Sequence, residues 1–277
     1  MRGLVWLVSG TIGWALALPG SVLAQSDAVL LQIRPRAGDT LRVRLDQTVE
    51  MTGTVRGSAG PSMSESSSLV VLTRLYVETA DLDGVSVVAF TDSVRLTSAP
   101  NSASGTMLAW ARAAQGHRFR FRVSTDGSTS AGDGIWGERQ QGAMLAQMPA
   151  TLPRRPITTG TTWTSAMDVP LAGTTDGKGT TTLTATFRFD SLSRSGELAF
   201  LSVRGRLSRS ATGTRDGAAS ISETSGTMTG SVLVDRRRGW ITDARTTIAL
   251  RSLVIPAAKE KPPMRVQVTI SQWMRVM

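Results

Sequence analysis

A mainly β fold, with long antiparallel strands in one strongly curved sheet or half-open barrel and one or two short helices, is what the sequence predicts. Three observations predict it. Apolar and polar residues alternate with a period of two in segment after segment, as with Leu41, Val43 and Leu45 against Arg42, Arg44 and Asp46, the pattern of a strand with one face buried. Short glycine-bearing turns separate these segments, at Asp81–Gly84, Asp126–Gly127, Ser193–Gly196 and Asp235–Gly239, and such turns are hairpin signals. The strand candidates are also rich in Thr, Val and Phe, which suit a pleated, half-buried surface.

The N-terminal residues have the parts of a secretory signal peptide: Arg2 as a positive start, an apolar run from Leu4 to Leu18, and a small-residue site at Val22-Leu23-Ala24. Cleavage is expected after Ala24. The apolar run is too short, and lacks the charged flank, for a membrane-spanning helix. The mature chain is expected to be periplasmic or secreted, with no membrane-spanning segment. With no cysteine in the chain, neither disulfides nor a thiol-linked lipid can hold it. Residues 25–277 are enough for a single β domain with its own core.

From Ala28 to Arg36 runs a short apolar lead-in. The strand at Leu41 to Asp46 follows, and then Gly53 to Ser68, mostly Gly, Ser, Thr and Pro, which reads as a mobile surface loop. Leu69, Val71, Leu75 and Val77 resume the alternation. After the turn at Gly84, the next strand is expected to bury Val88, Phe90, Val94 and Leu96, with Arg95 pointing out. A small-polar loop at Ser98 to Gly105 leads to Met107–Ala114, a helix candidate closed by Gly116. Phe119, Phe121 and Val123 alternate with Arg118, Arg120 and Arg122, and Glu138–Met148 is a second short helix candidate. Pro149, Pro153 and Pro156 make residues 149–159 a stiff extended connector between two halves, about 25–148 and 160–277.

The second half opens with a strand from Thr161 to about Val169. A long hairpin follows, from Gly179 to Arg209 over the Ser193–Gly196 turn, and another turns at Asp235–Gly239. On the return strand Trp240, Ile248 and Leu250 share one face, and Asp243, Arg245 and Arg251 the other. The final strand sets Val266, Val268, Ile270, Met274 and Val276 against Arg265, Gln267, Thr269, Ser271 and Arg275. Gly84 and Gly196 are separated by the same 112 residues as Gly127 and Gly239, which suggests two pseudo-repeated halves.

The chemistry is sparse. His117 is the single histidine, so a His-based triad has one candidate base and ordinary zinc sites lack ligands; its place at the head of an arginine-rich strand reads as surface. Asp81-x-Asp83-Gly84 has part of a calcium-loop spacing without the further acidic ligands, and reads as a hairpin turn. No nucleophile-elbow or phosphate-loop pattern occurs. Neither catalytic residues, metal ligands nor a cofactor are therefore assigned. An unrecognised hydrolase, which needs only two acidic residues in one cleft, is a further alternative. The net charge of +10, nearly all from arginine, favours anionic partners such as an envelope surface. Nucleic acid is disfavoured, because alternation puts the phenylalanines of Arg118–Arg122 on the face away from the arginines. An outer-membrane barrel also alternates, but would show aromatic girdles, and aromatic residues are only 5% here.

The order of leader, Gly38-Asp39-Thr40 strand, Gly/Ser loop, long hairpins, Leu152–Pro156 connector and Gly160-x-x-Trp163 resembles exported bacterial β-proteins of unknown function. In architecture it resembles the lipoprotein-carrier class, a curved antiparallel sheet around an apolar cavity covered by helices. That resemblance implies binding of a lipid or acyl ligand without catalysis, and it carries over no site residues. The expected function is thus a non-catalytic binding or carrier protein for an apolar or amphipathic ligand. A structural or interaction module of the envelope with an arginine-rich face is the alternative. Met107, Leu108, Trp110 and Ala111 are the candidate ligand lid, since they offer a soft apolar surface between Gly/Ser-rich flanks.

Overall fold

The computed structural model describes residues 28–55, 63–98, 115–131, 152–170, 180–215, 218–256 and 262–277, and these contain eleven strands and no helix. The strands are β1 (Thr40–Val55), β2 (Met63–Ala80), β3 (Gly84–Ser98), β4 (Arg118–Ser124), β5 (Thr129–Ala131), β6 (Thr162–Pro170), β7 (Thr180–Leu192), β8 (Leu198–Arg215), β9 (Ala218–Asp235), β10 (Trp240–Pro256) and β11 (Met264–Val276). The leader, the two helix candidates at Met107–Ala114 and Glu138–Met148, and the lid residues lie outside the described residues.

All eleven strands belong to one antiparallel sheet in the order β5-β4-β3-β2-β1-β11-β10-β9-β8-β7-β6. Each neighbouring pair is a sequential meander except the central one, where the first strand pairs with the last from Val43↔Val276 to Val55↔Met264. The sheet ends at β5 on one side and β6 on the other and is not closed. On either side of β11, two five-stranded meanders run in the same sense. Gly84 and Gly127 turn the first, and Gly196 and Gly239 the second, all four with positive φ. The equal spacing in sequence thus coincides with equivalent turns.

The faces are strongly segregated. Leu45, Val71, Leu201, Val232, Ala244 and Met274 share one face, and Arg44, Arg74, Arg204, Arg245 and Arg275 the other. Residues of β2, β3 and β4 meet residues of β7 to β10 in one buried cluster, so the sheet curves toward its apolar face. What brings the two flanks together is a strap across the concave side. Val29 and Ile157 exchange two backbone hydrogen bonds, Ile33 N–H donates to the Thr125 carbonyl and Arg34 N–H to the Gly239 carbonyl. At one end of the strap Leu152 N–H reaches Asp126, and at the other Gly160 N–H reaches Phe189. Val29, Leu31, Ile33, Leu152 and Ile157 are all buried, Leu31 completely. Each such side chain contributes about 1.5–3 kcal/mol. The lead-in and the proline connector, read from sequence as extended pieces, thus fill the end of the cup that carries the short turns.

Two expectations are corrected. Part of Gly53–Ser68, read as a loop, is strand: residues 53–55 finish β1 and 63–68 begin β2, with Ser64–Ser68 paired to Thr48–Thr52. Ladder hydrogen bonds to an amphipathic neighbour outweigh the weak strand preference of serine and glycine. Phe90 is not in the core. A bulge opposite Leu72 and Thr73 shifts the register of β3, so Val87, Ala89 and Thr91 face inward before it and Val94 and Leu96 after it. Phe90 lies on the convex face with the guanidinium groups of Arg74 and Arg118 over its ring, at 5.8 and 5.2 Å. Val88 is buried as expected.

Candidate functional site

The concave face changes character along its length. At the strapped end it is packed core. Further along, β7 to β10 build a second buried cluster of Leu183, Ala185, Phe187, Val203, Leu207, Met228 and Leu250, with Trp163, Ile248 and Val268 packed against it. Trp163 stacks nearly parallel on Phe187 at 5.7 Å. Beside this wall, β11, β1 and β2 present Ile270, Val268, Val266, Val49, Met51 and Met63, all only half-buried. Three inward positions of the wall carry no side chain: a Cβ at Gly230 would lie 2.1 Å from the Arg245 carbonyl oxygen, one at Gly226 2.5 Å from Leu250 and one at Gly205 3.0 Å from Leu183. Glycine there lets neighbouring strands close in and the sheet bend.

Between packed end and open trough lies a polar rung; a second polar pair, Thr224 of β9 with Ser252 of β10 at 2.8 Å, lies three rows nearer the rim. The register aligns Thr246 of β10, Gln272 of β11 and Gln47 of β1 in one row. Gln272 Nε2 donates to Gln47 Oε1 at 3.0 Å, and Thr246 Oγ1 to Gln272 Oε1 at 3.4 Å. One row toward the strap are Ala244, Met274 and Leu45; one row toward the rim are Ile248, Ile270 and Val49. Sequence reasoning passed over this rung, although its signal was present three times. Each of the strings Leu45-x-Gln47-x-Val49, Ala244-x-Thr246-x-Ile248 and Ile270-x-Gln272-x-Met274 has one polar residue at an inward position. Only the register shows that the three interruptions are one feature. Thr73, also inward, is buried, and its Oγ1 has no hydrogen-bond partner among the described residues.

The convex face holds the arginines of β1 to β4, β10 and β11, many in ion pairs: Arg44–Asp46 at 2.7 Å, Arg74–Asp92 at 2.8 Å, Arg120–Glu78 and Arg122–Asp81 each at 2.7 Å. Trp273 sits there too, between the guanidinium groups of Arg245 and Arg275, with its Nε1 donating to Asp243. Phe119 and Val123 are buried while Arg118 and Arg120 face out, so the aromatic and basic faces of β4 are opposite, as alternation requires. A barrel exposing such a face to lipid would bury charge in hydrocarbon.

The remaining polar candidates are structural. Asp81 accepts the N–H groups of Asp83 and Gly84 and the Arg122 guanidinium. The Arg122 hydrogen bond leads the causes that hold its carboxyl below the usual range. Its oxygens thus serve the hairpin turn. His117 is exposed, its carbonyl taken by Thr91 N–H. Among the described residues no group of His, Cys, Asp and Glu could hold a metal ion, and no helix is long and apolar enough to cross a membrane.

No family model matches the chain, and no curated protein matches it. Among solved structures it is similar to DynF from the dynemicin biosynthesis pathway of Micromonospora chersina, at 8% identity and a TM-score of 0.23, covering 96% of this chain and 92% of that one. It is also similar to an outer membrane channel from Pseudomonas putida, at 10% identity and a TM-score of 0.21, over 87% and 96% of the two chains. A third is an exported protein with a YmcC-like fold from Bacteroides fragilis, at 10% identity and a TM-score of 0.19, over 86% and 98%. At these scores none bears on what the chain does, and the reading of its role rests on its own concave face.

Proposed function

We propose that the chain is an exported, non-catalytic binding or carrier protein for an apolar or amphipathic ligand, held on the concave face of the sheet. The observation that supports it is the trough of half-buried apolar side chains between the Gln47–Gln272 rung and the rim, beside the buried Leu183–Leu250 cluster. A strand face of that kind is stable in water only if something covers it. Met107, Leu108, Trp110 and Ala111 serve as the lid, and the mature chain starts at Gln25. A lipid or acyl chain is the ligand class that fits a long apolar trough. A second reading, an envelope interaction module, is favoured by the arginines of the convex face, which suit an anionic surface.

Native mass spectrometry of the mature protein from its periplasm or secretion medium separates the two. A carrier retains co-purifying lipid and binds a fluorescent acyl probe; a module does neither. Under the carrier reading Trp110→Ala weakens the probe with little loss of melting temperature. A loss of about 3–5 kcal/mol, the cost of removing a core tryptophan, together with no probe binding in the parent protein, would sink it.

A further inference from the structure

We infer that the concave site selects an uncharged amphipath, with an ester, amide or hydroxyl group paired to the Thr246–Gln272–Gln47 rung and its hydrocarbon lying on the trough. The inference rests on the carrier reading and adds the class of ligand to it.

The first support is charge. Around the rung the inward positions, Leu45, Val49, Ala244, Ile248, Ile270 and Met274, are all apolar, and by register the inward ionisable residues lie further toward the rim: Glu65, opposite Met51, and Arg209 and Arg215 of β8, opposite Thr224 and Ala218. A carboxylate or phosphate placed at the rung would lose water and gain no cation there, which is costly. A neutral polar group escapes that penalty, provided it finds hydrogen bonds.

The second support is that the rung has bonds to give. Gln272 spends one N–H on Gln47 and its oxygen on Thr246, so the second Gln272 N–H and both Gln47 N–H groups have no protein partner among the described side chains. Gln47 and Gln272 are half-buried, not sealed. The rung therefore offers donors together with an accepting amide oxygen, which a carbonyl or a hydroxyl can use and an alkane cannot.

The third support is length. From Gln272 to Met264 the inward residues are Ile270, Val268, Val266 and Met264, facing Val49, Met51, Gly53 and Val55 of β1. Eight residues of strand span about 27 Å, against about 15 Å for one leaflet of a bilayer's hydrocarbon. A single acyl chain anchored at the rung fits within the trough. Methionine at Met51, Met63 and Met264 gives the rim side chains that adapt to tails of different shape.

The test displaces a neutral fluorescent acyl probe from the mature full chain with hexadecanol, with palmitate at pH 8, and with hexadecane. Hexadecanol is expected to compete at least about tenfold better than palmitate, tenfold being about one good hydrogen bond. In Q47L/T246V/Q272L, where apolar side chains of similar size replace all three members of the rung and leave none unsatisfied, hexadecanol is expected to lose about tenfold while hexadecane is unchanged. Palmitate competing as well as hexadecanol, or Q47L/T246V/Q272L binding hexadecanol undiminished, would overturn the inference and leave the carrier reading intact. No binding of the probe or of any chain by the parent protein would overturn both.

Discussion

Gly239 has φ +62°, and a Cβ placed on it would lie 2.4 Å from the Arg34 carbonyl oxygen, so this one position holds both a hairpin turn and the docking of the strap. Gly239→Ala is expected to lose about 2–3 kcal/mol, read as a fall in the chemical denaturation midpoint with unchanged slope. Asp126 works at the neighbouring turn. Burial pushes its carboxyl up, but hydrogen bonds from the Ser128 hydroxyl and N–H, with Arg154, outweigh burial and leave it below the ordinary aspartate value. A depressed folded-state value stabilises the fold above the unfolded value, near 3.8, and that stability is lost as pH falls through the folded one. Asp126→Asn should therefore lower the melting temperature at pH 7 and flatten its decline on acidification; equal declines in parent and variant would refute this. Single residues were legible in sequence where alternation was unbroken, as at Arg118–Val123. Phe90 was not, because a bulge leaves no mark in the residue types and reverses inside and outside beyond it.

For the elements, the hairpin of β7 and β8 was the plainest in the sequence, since Thr, Phe and Val alternate on both sides of a glycine turn. The strap was legible as extended chain from its prolines and its apolar lead-in. Its burial was not, because neither piece alternates and each is inward only by virtue of the other. Leu31→Ala is expected to cost about 2–5 kcal/mol, measured by denaturant titration. A strap lying on the surface would show under about 0.5 kcal/mol. The serine run of β2 was missed for a different reason: its order comes from neighbours, whereas composition speaks only of the segment itself. Amide protons of Glu65 and Ser67, which the alternation of the ladder turns toward β1, should therefore exchange at rates characteristic of the sheet. Exchange as fast as in a free peptide would restore the loop assignment. The polar rung could have been found as single breaks in three patterns, but alternation names a face and does not name a neighbour.

Across the whole molecule, period two gave the fold class, and turn spacing gave the hairpins. The strand order was beyond it, above all the pairing of β1 with β11 at the centre of the sheet. Removing Met264–Met277 is expected to expose the facing edges of β1 and β10 and to leave two meanders joined through the strapped cluster alone, seen as loss of cooperative unfolding and as aggregation. A truncated chain that melts cooperatively near the parent temperature would show the halves to be independent. The same central pairing sets a timetable for assembly. Gln47 and Gln272 meet across 225 positions of chain, and the loop they close must form before any contact between β1 and β11 repays its entropy. The chain's earliest strand thus waits for its latest, and a half-made molecule offers β1 as an open edge for the whole interval. Folding on the scale of milliseconds to seconds is expected, with a vulnerability to misassociation that lasts until the carboxyl-terminal strand arrives.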